Sequence, residues 1–345
     1  MNSMLWILLL SLLSLLEGAH SIDFTFVGDA MQHGPQIKAA RMADGTYNYK
    51  GCFDYVEDDI YGADYAVVNL ECPLGGAPYT GYPAFSAPDE YAKELKRVGF
   101  DLFTTANNHC LDRRDKGLVR TIEVLDAMNI PHVGTYKNRA QRAESLPLVV
   151  DVKGVKVGFL SYTYGTNGIS VQGDAVVDLI NRQQISRDIA DARKAGAQLM
   201  CVYMHWGIEY VLQPVKEQRD LADFLVDEGV DMIIGSHPHV VEPVELRYSP
   251  RHGKQVLVVY SLGNFISNQT TIDSRGGAMV KVRVAVGDGV PQVADVETKL
   301  FFVQKPRAAG ENYVLIPEDR EDLLRLDSRA EFTAFMSRAA KTLGR

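Results

Sequence analysis

Five short apolar runs in this chain each stop at a cluster of polar, chemistry-bearing residues. IDFTFV stops at Gly28-Asp29, and ADYAVV stops at Asn69-Leu70-Glu71. FDLFTTA stops at Asn107-Asn108-His109, with Asp112 close behind. QLMCVYM stops at His205-Trp206-Gly207, and DMII at Gly235-Ser236-His237-Pro238-His239. Amphipathic segments with helical spacing separate the runs: APDEYAKELKRVGF, DKGLVRTIEVLDAMNI, ISRDIADARKAGA and VKEQRDLADFLVDEGV. Strand–helix alternation of this kind builds a largely parallel sheet covered by helices. Ligands of such sheets bind outside the carboxyl ends of the strands. The pattern predicts an α/β fold in which the five polar clusters converge on one crevice.

Other segments complete the expected order. LPLVVDVKGVKVGFLSYTY predicts a hairpin turning at Lys153-Gly154, and QVLVVYSLGNF a last core strand. AMVKVRVAVGDGVPQVADVETKLFFV alternates with period two around Gly287-Asp288-Gly289, the pattern of an antiparallel hairpin. EDREDLLRLDSRAEFTAFMSRAAK predicts a closing helix whose acidic start suits the helix dipole. There is no linker, low-complexity tract or internal repeat. The expected organisation is a signal peptide over 1–21, one α/β domain over 22–270, and a C-terminal hairpin and helix over 271–345 packed on that domain.

Leu5 to Leu16 is almost unbroken apolar, too short to span a bilayer comfortably, and Ala19-His20-Ser21 puts small residues where a cleavage site needs them. Export to the periplasm or cell surface through a cleaved signal peptide is expected. No Lys or Arg precedes the run, so an uncleaved membrane anchor is the rival reading. A net charge of −8 argues against electrostatic binding of nucleic acid. Cys52, Cys72, Cys110 and Cys201 have neither zinc-ribbon nor redox-pair spacing, and the sequence does not choose between disulfides and buried thiols.

The strand-end residues form a coherent donor set. Asp29 and Glu71 are hard anionic oxygens, Asn108 offers an amide oxygen, and His205, His237 and His239 offer imidazoles. Mixed nitrogen and oxygen donors suit Zn, Mn or Fe and argue against Ca²⁺. There are enough of them for two divalent ions if one carboxylate bridges. Each residue alone has a plainer reading as a cap, a turn residue or a core histidine. It is the convergence of five strand ends that points to metal-assisted hydrolysis or transfer at phosphorus or carbonyl carbon.

The motifs FTFVGDAM, VVNLECPL, TTANNHCLD, VYMHWGIEY, IIGSHPHVVEPVE and VYSLGNF, in this order, resemble those of the CapA family. That family is associated with capsule and poly-γ-glutamate synthesis and lies within the calcineurin-like metallophosphoesterase superfamily. The resemblance runs from about Ile22 to Phe265. It implies a four-layer α-β-β-α metallophosphoesterase-like sandwich. It also implies that Asp29 and His239 serve a first ion, that Glu71 bridges, and that Asn108, His205 and His237 hold a second. His109 would protonate the leaving group and Asp112 would orient it. The wider pattern has His two residues after the first Asp, where this chain has Met31, so the first metal site is expected to be weaker, differently built or empty unless His33 substitutes. Glu209 either supports a ligand from behind or faces substrate. Arg113, Arg114 and Arg275 are candidates for binding carboxylates; Tyr79, Tyr82 and Phe85, within or beside TGYPAFSAP, for an aromatic lid; and Asn264 of VYSLGNF for a substrate contact. Three functions follow: a hydrolase or transferase on a γ-glutamyl or related anionic polymer, a phosphoesterase on a nucleotide or phosphorylated glycan, or a non-catalytic polymer-binding protein beside a membrane synthase.

Overall fold

A computed structural model describes residues 20–287 and 290–345. The segment Leu5–Leu16 and the tip of the Gly287-Asp288-Gly289 turn lie outside the described residues. The first half of the chain lays down four parallel strands: β1 (His20–Ala30), β2 (Tyr65–Leu70), β3 (Leu102–Thr104) and β4 (His132–Val133). Between them run α1 (Gly34–Ala40), α2 (Glu57–Tyr61), α3 (Asp89–Arg97) and α4 (Arg114–Ala127). Helix α3 shows why the sequence forms these crossovers. Pro88 precedes it, Asp89 and Glu90 fill its first turn, and Lys96 and Arg97 its last, each charge matching the dipole. Tyr91, Ala92 and Leu95 give it one buried face, and Gly99 turns the chain away at φ 111°.

The next strands are β5 (Thr135–Tyr136), β6 (Leu148–Val152), β7 (Val155–Thr163), β8 (Val176–Val177), β9 (Leu199–His205), β10 (Met232–Ser236), β11 (Val244–Ser249) and β12 (Lys254–Val259), with helices α5 (Arg139–Ser145), α6 (Arg182–Lys194) and α7 (Lys216–Asp227) interspersed. Six of these strands make a second sheet in the order β11-β12-β10-β9-β7-β6. The β6–β7 hairpin turns at Lys153 and Gly154 as expected, both at positive φ, the requirement of a type I′ turn. The chain then returns to the first sheet with β13 (Asn264–Ile266), β14 (Gly276–Gly287), β15 (Val290–Gln304) and β16 (Val314–Pro317). That sheet runs β16-β15-β14-β1-β2-β3-β4, with β13 beside the end of β1. The expected C-terminal hairpin is therefore an integral part of the first sheet.

Alternation along the strands divides the interior. Phe24, Phe26 and Val67 of the first sheet face Phe159, Leu199, Tyr203 and Ile234 of the second in one core. Val68 and Phe103 face outward beneath α3 and α4, and Met200, Val202 and Ile233 face outward beneath α6 and α7. The result is the four-layer α-β-β-α sandwich. The closing helix is shorter than the sequence predicts: α8 (Arg329–Thr342) begins only after Ser328. Gln304 Oε1 accepts the Arg325 backbone N–H at 2.9 Å and Leu324 turns into the core, so tertiary contacts hold the acidic stretch before α8 off a continuous helical path. Among the described residues no helix is long and apolar enough to cross a membrane.

Candidate metal centre

A one-residue shift in β1 builds the first corner of the site. Phe26 pairs with Val67 on β2, but Asp29 pairs with Asn69, so β1 carries one extra residue between them. A single-residue slip turns a strand side chain to the opposite face. It swings Asp29 inward, where Asn69 Nδ2 donates to its Oδ1 at 2.8 Å and the His239 ring meets its Oδ2 at 3.0 Å. The bulge needs Gly28: a Cβ there would sit 1.9 Å from the Gly263 carbonyl oxygen, whose other contact is the Asp29 N–H at 3.0 Å. Two residues beyond Asn69, with the period of a strand, Glu71 also points inward and is fully buried.

The other corners come from the second sheet and from the loop after β3. His205 ends β9, paired in register with Ser236 of β10, and its Nδ1 meets Ser236 Oγ at 2.9 Å. Its Nε2 lies 2.8 Å from Asn108 Oδ1 and 3.5 Å from Glu71 Oε1, so the two sheets meet at this ring. The Ser236-His237-Pro238-His239 segment then leaves the sheet with His237 at φ 98° and His239 at φ 59°. Non-glycine residues in this region carry about 1–3 kcal/mol of strain each and cluster at functional sites. The strain turns both rings toward the carboxylates. Three groups of donors lie within 4.8 Å: Asp29, Glu71 and His239; Glu71, His205 and His237; and Glu209, His237 and His239. His33 joins none of these groups.

Burial dominates the electrostatics of this cluster. Burial, then the charge of Asp29, pushes the Glu71 carboxyl well above the usual range. Burial also pushes Asp29 up, but His239 and Asn69 more than offset it and hold it below. Burial, and then the neighbouring rings, keeps His205 far below its ordinary value and brings His237 to about 3. Both rings are therefore neutral, the form that binds metal. Neither Glu71 oxygen nor His237 Nδ1 has a hydrogen-bond partner, although all three are buried.

A cavity of about 300 Å³ opens over the cluster, lined among others by Met31, Tyr82, His109, Glu209, Tyr210 and His239. His109 stands at its wall with Nδ1 2.8 Å from Asp112 Oδ2, and Asp112 also accepts the Phe85 N–H at 2.9 Å. Phe85 packs edge-on against the His109 ring, 4.7 Å between centroids, and is fully buried, whereas Tyr82 is 75% exposed at the mouth. Tyr79 instead packs on Tyr47, away from the cavity lining. Met31 is buried beside the cavity, and His33 is held by Gln36 and the Asn268 N–H, with burial bringing it to about 4.

The expected arginine contacts have other surroundings. The Arg113 stem is wedged between Gly75 and Gly117. Arg275 bonds Glu331 and the Val303 carbonyl and lies over Phe302, so it fastens α8 to the sheet. Asn264 is buried and donates to the carbonyls of His239 and Ser274 and to Gln269, an anchor for the His239 backbone. The four cysteines are buried free thiols.

Four residues in the site carried no assigned role in the sequence reading. Asn69 orients Asp29, and Ser236 orients His205. Asn167 accepts from Asn108 Nδ2 at 3.2 Å, and the Tyr164 ring lies 4.6 Å from that of His237. Asn69 and Ser236 were visible as members of strand-end clusters. Asn167 and Tyr164 follow β7, whose end carries no ligand type, and left no such signal.

A family model described as bacterial capsule synthesis protein PGA_cap matches residues 23–269. Capsule biosynthesis protein CapA of Bacillus anthracis is 30% identical over 288 residues, spanning 78% of this chain and 67% of that protein. PGA biosynthesis protein CapA of Bacillus subtilis (strain 168) is 28% identical over 273 residues, 75% of this chain and 67% of that protein. Among solved structures, NAD nucleotidase of Haemophilus influenzae superposes with a TM-score of 0.51 at 12% identity, over 94% of this chain and 61% of that one, a likeness of fold alone.

Proposed function

The chain belongs to the bacterial capsule synthesis protein PGA_cap family, and from that premise we propose that it is a metal-dependent hydrolase or transferase of the cell envelope, acting on a poly-γ-glutamate-type or related anionic polymer. The observation that carries this reading is the carboxylate of Glu71, fully buried against the Asp29 carboxylate with no amide, hydroxyl or ring N–H satisfying either oxygen. Buried polar atoms are nearly always partnered, and one left bare costs about 1–3 kcal/mol. Glu71 and His237, whose Nδ1 is also bare, belong to one donor group, the arrangement a divalent cation satisfies. Asp29, Glu71 and His239 would hold one ion. Glu71, His205 and His237, with the Asn108 amide oxygen, would hold a second, Glu71 serving both. The donor chemistry suits Zn, Mn or Fe.

Such ions, when bound, lower the pKa of water and polarise an electrophilic centre. The chain's own residues supply the rest. Asp112 engages His109 Nδ1 and fixes the ring, which leaves Nε2 as the atom that hands a proton to a departing group. Asn69 and Ser236 keep Asp29 and His205 aimed inward. Neutral groups, Asn268, Gln269, Thr270 and Thr271 with Tyr82 and Tyr210, line the substrate side of the cavity, and no lysine or arginine is among its lining residues. Positive charge for an anionic chain therefore comes from the cations. The Leu5–Leu16 segment and the capsule proteins this chain resembles support a place in the envelope, where a membrane synthase is the proposed partner.

The test is incubation of purified protein with poly-γ-glutamate and with γ-glutamyl peptides, in parallel with nucleotides and phosphorylated sugars, with Mn²⁺ or Zn²⁺ and with chelator. Metal-dependent cleavage or transfer of γ-glutamyl bonds is expected. Rapid phosphate release with no γ-glutamyl chemistry would instead make it a phosphoesterase, and tight polymer binding that ignores chelator and the Glu71→Gln change would make it a binding protein.

A further inference from the structure

The two ligand groups that share Glu71 are unequally furnished. One set counts four donors, His205, His237, Glu71 and the Asn108 amide oxygen, which lies 2.8 Å from His205 Nε2. The buried carboxylates grouped with His239 are Asp29 and Glu71, three donors in all; a separate group joins His239 to His237 and the exposed Glu209. Met31, which lines the same cavity as His239, offers only a thioether, a poor ligand for a hard divalent ion. Zn²⁺ takes at least four ligands and Mn²⁺ or Fe²⁺ more. A donor is missing on the Met31 side.

We propose that Glu209 is that donor: its carboxylate, from the loop after β9, is a direct ligand of the ion held by Asp29, Glu71 and His239. This rests on the metal-dependent reading above and adds a residue to it. The Glu209 carboxylate belongs to the group that lies within 4.8 Å of ligand atoms on His237 and His239, and it lines the same cavity as Met31 and His239. The loop is anchored to the histidine segment. The Trp206 N–H bonds the Ser236 carbonyl at 3.1 Å and the Tyr210 N–H bonds the Pro238 carbonyl at 2.8 Å, so the backbone on both sides of Glu209 is tied to the residues around His237 and His239. Gly207 at φ 86° and Tyr210 at φ 66° make the turns that bring it there. On its far side Tyr210 accepts from Gln269 Nε2 at 3.2 Å, which ties the loop to the opposite wall. A bound cation would satisfy the bare atoms of Glu71 and His237. A third carboxylate also suits the charge balance: Asp29, Glu71 and Glu209 against two divalent ions leave one net positive charge facing substrate. Unlike the buried donors, Glu209 is exposed, so its ion is the one in contact with the cavity.

The experiment counts metal rather than activity. Wild type, Glu209→Ala and the double variant Glu209→Ala/Met31→His are loaded with Mn²⁺, desalted and assayed for bound metal by mass spectrometry, with affinities from calorimetry. The expected result is two ions in wild type, one retained tightly in Glu209→Ala with the other weakened 10-fold or more, and recovery of the second in the double variant, where an imidazole on β1 replaces the lost carboxylate. Two ions at unchanged affinity in Glu209→Ala would overturn the assignment and leave the metal-dependent reading standing. A wild type that holds no metal would overturn both.

Discussion

Asp29 and Asn69 face one another across β1 and β2, joined at 2.8 Å, only because β1 carries one residue more than its partner between Phe26 and Asp29. Without that bulge Asp29 would point under the helices with Val27. The site is thus anchored on a local irregularity in an otherwise regular sheet, where bulges commonly re-aim a functional side chain.

Gly28 is the residue that permits the irregularity, since a Cβ there collides with the Gly263 carbonyl oxygen. Gly28→Ala should destabilise the fold by about 1–3 kcal/mol through overpacking. It should also weaken metal binding by roughly 10- to 100-fold, because Asp29 loses its aim. Urea unfolding in chelator reports the first effect and metal titration the second. A variant with reduced stability and intact affinity would mean that Asp29 is not a ligand.

Glu71 should behave oppositely in the metal-free protein. Burial and the Asp29 charge raise its carboxyl pKa, so the folded state holds a proton that the unfolded state releases above the ordinary value of 4.5. The stability of metal-free protein must then fall as pH rises through that window. Glu71→Gln should unfold at higher temperature than wild type at pH 8 in chelator, by the equivalent of about 1–3 kcal/mol. The difference should close below pH 4.5, and the variant should no longer gain stability from Mn²⁺. Parallel pH profiles for the two proteins would contradict the assignment.

His109 is separable from the metal ligands. Its Nδ1 is bound by Asp112 and it belongs to none of the three donor groups. His109→Ala should keep its metal content and lose roughly 10²- to 10⁴-fold in turnover, the usual contribution of a positioned acid. Substrates with better leaving groups should narrow that gap. Loss of metal in this variant would show that its role had been misread.

Glu242 provides a second pH signature, away from the donor groups. Burial pushes its carboxyl up to about 7 against the opposing Gln218 amide, which donates to Oε2 at 2.7 Å. A raised carboxyl destabilises as pH climbs from 4.5 to 7, here by about 3 kcal/mol at full ionisation. Glu242→Gln should flatten the stability profile across that range in chemical denaturation. An unchanged profile would mean that the group titrates normally.

Much of the site was legible because strands end abruptly. Asp29, Glu71, Asn108, His205, His237 and His239 each stand at or just past the point where an apolar run stops, and parallel strands put those points at one end of a sandwich. The hairpin turn at Lys153-Gly154 was equally local, since Gly154 between two apolar alternating runs readily takes the positive φ a tight turn needs. The arginines were less legible. Arg113 and Arg275 follow or flank motifs in the chain, yet one is wedged against glycines and the other fastens the last helix. Proximity in sequence to a motif says nothing about which way a long side chain turns. The acidic stretch before α8 has helical composition, and contacts from Gln304 and the core override it.

By itself the sequence determined the strand–helix alternation, the parallel direction of the core strands and the identity of the donor types, because periodicity and strand ends are properties of contiguous residues; the four layers were implied by the resemblance of its motifs. Only the tertiary structure decided which donors meet. It took the β1 bulge to turn Asp29 inward, the strained backbone at His237 and His239 to aim their rings, and the return of the His205 loop over Pro238 to bring Glu209 to the cavity that Met31 also lines. Each of these is set by backbone contacts between segments far apart in the chain, and such contacts leave no period and no composition to read in advance.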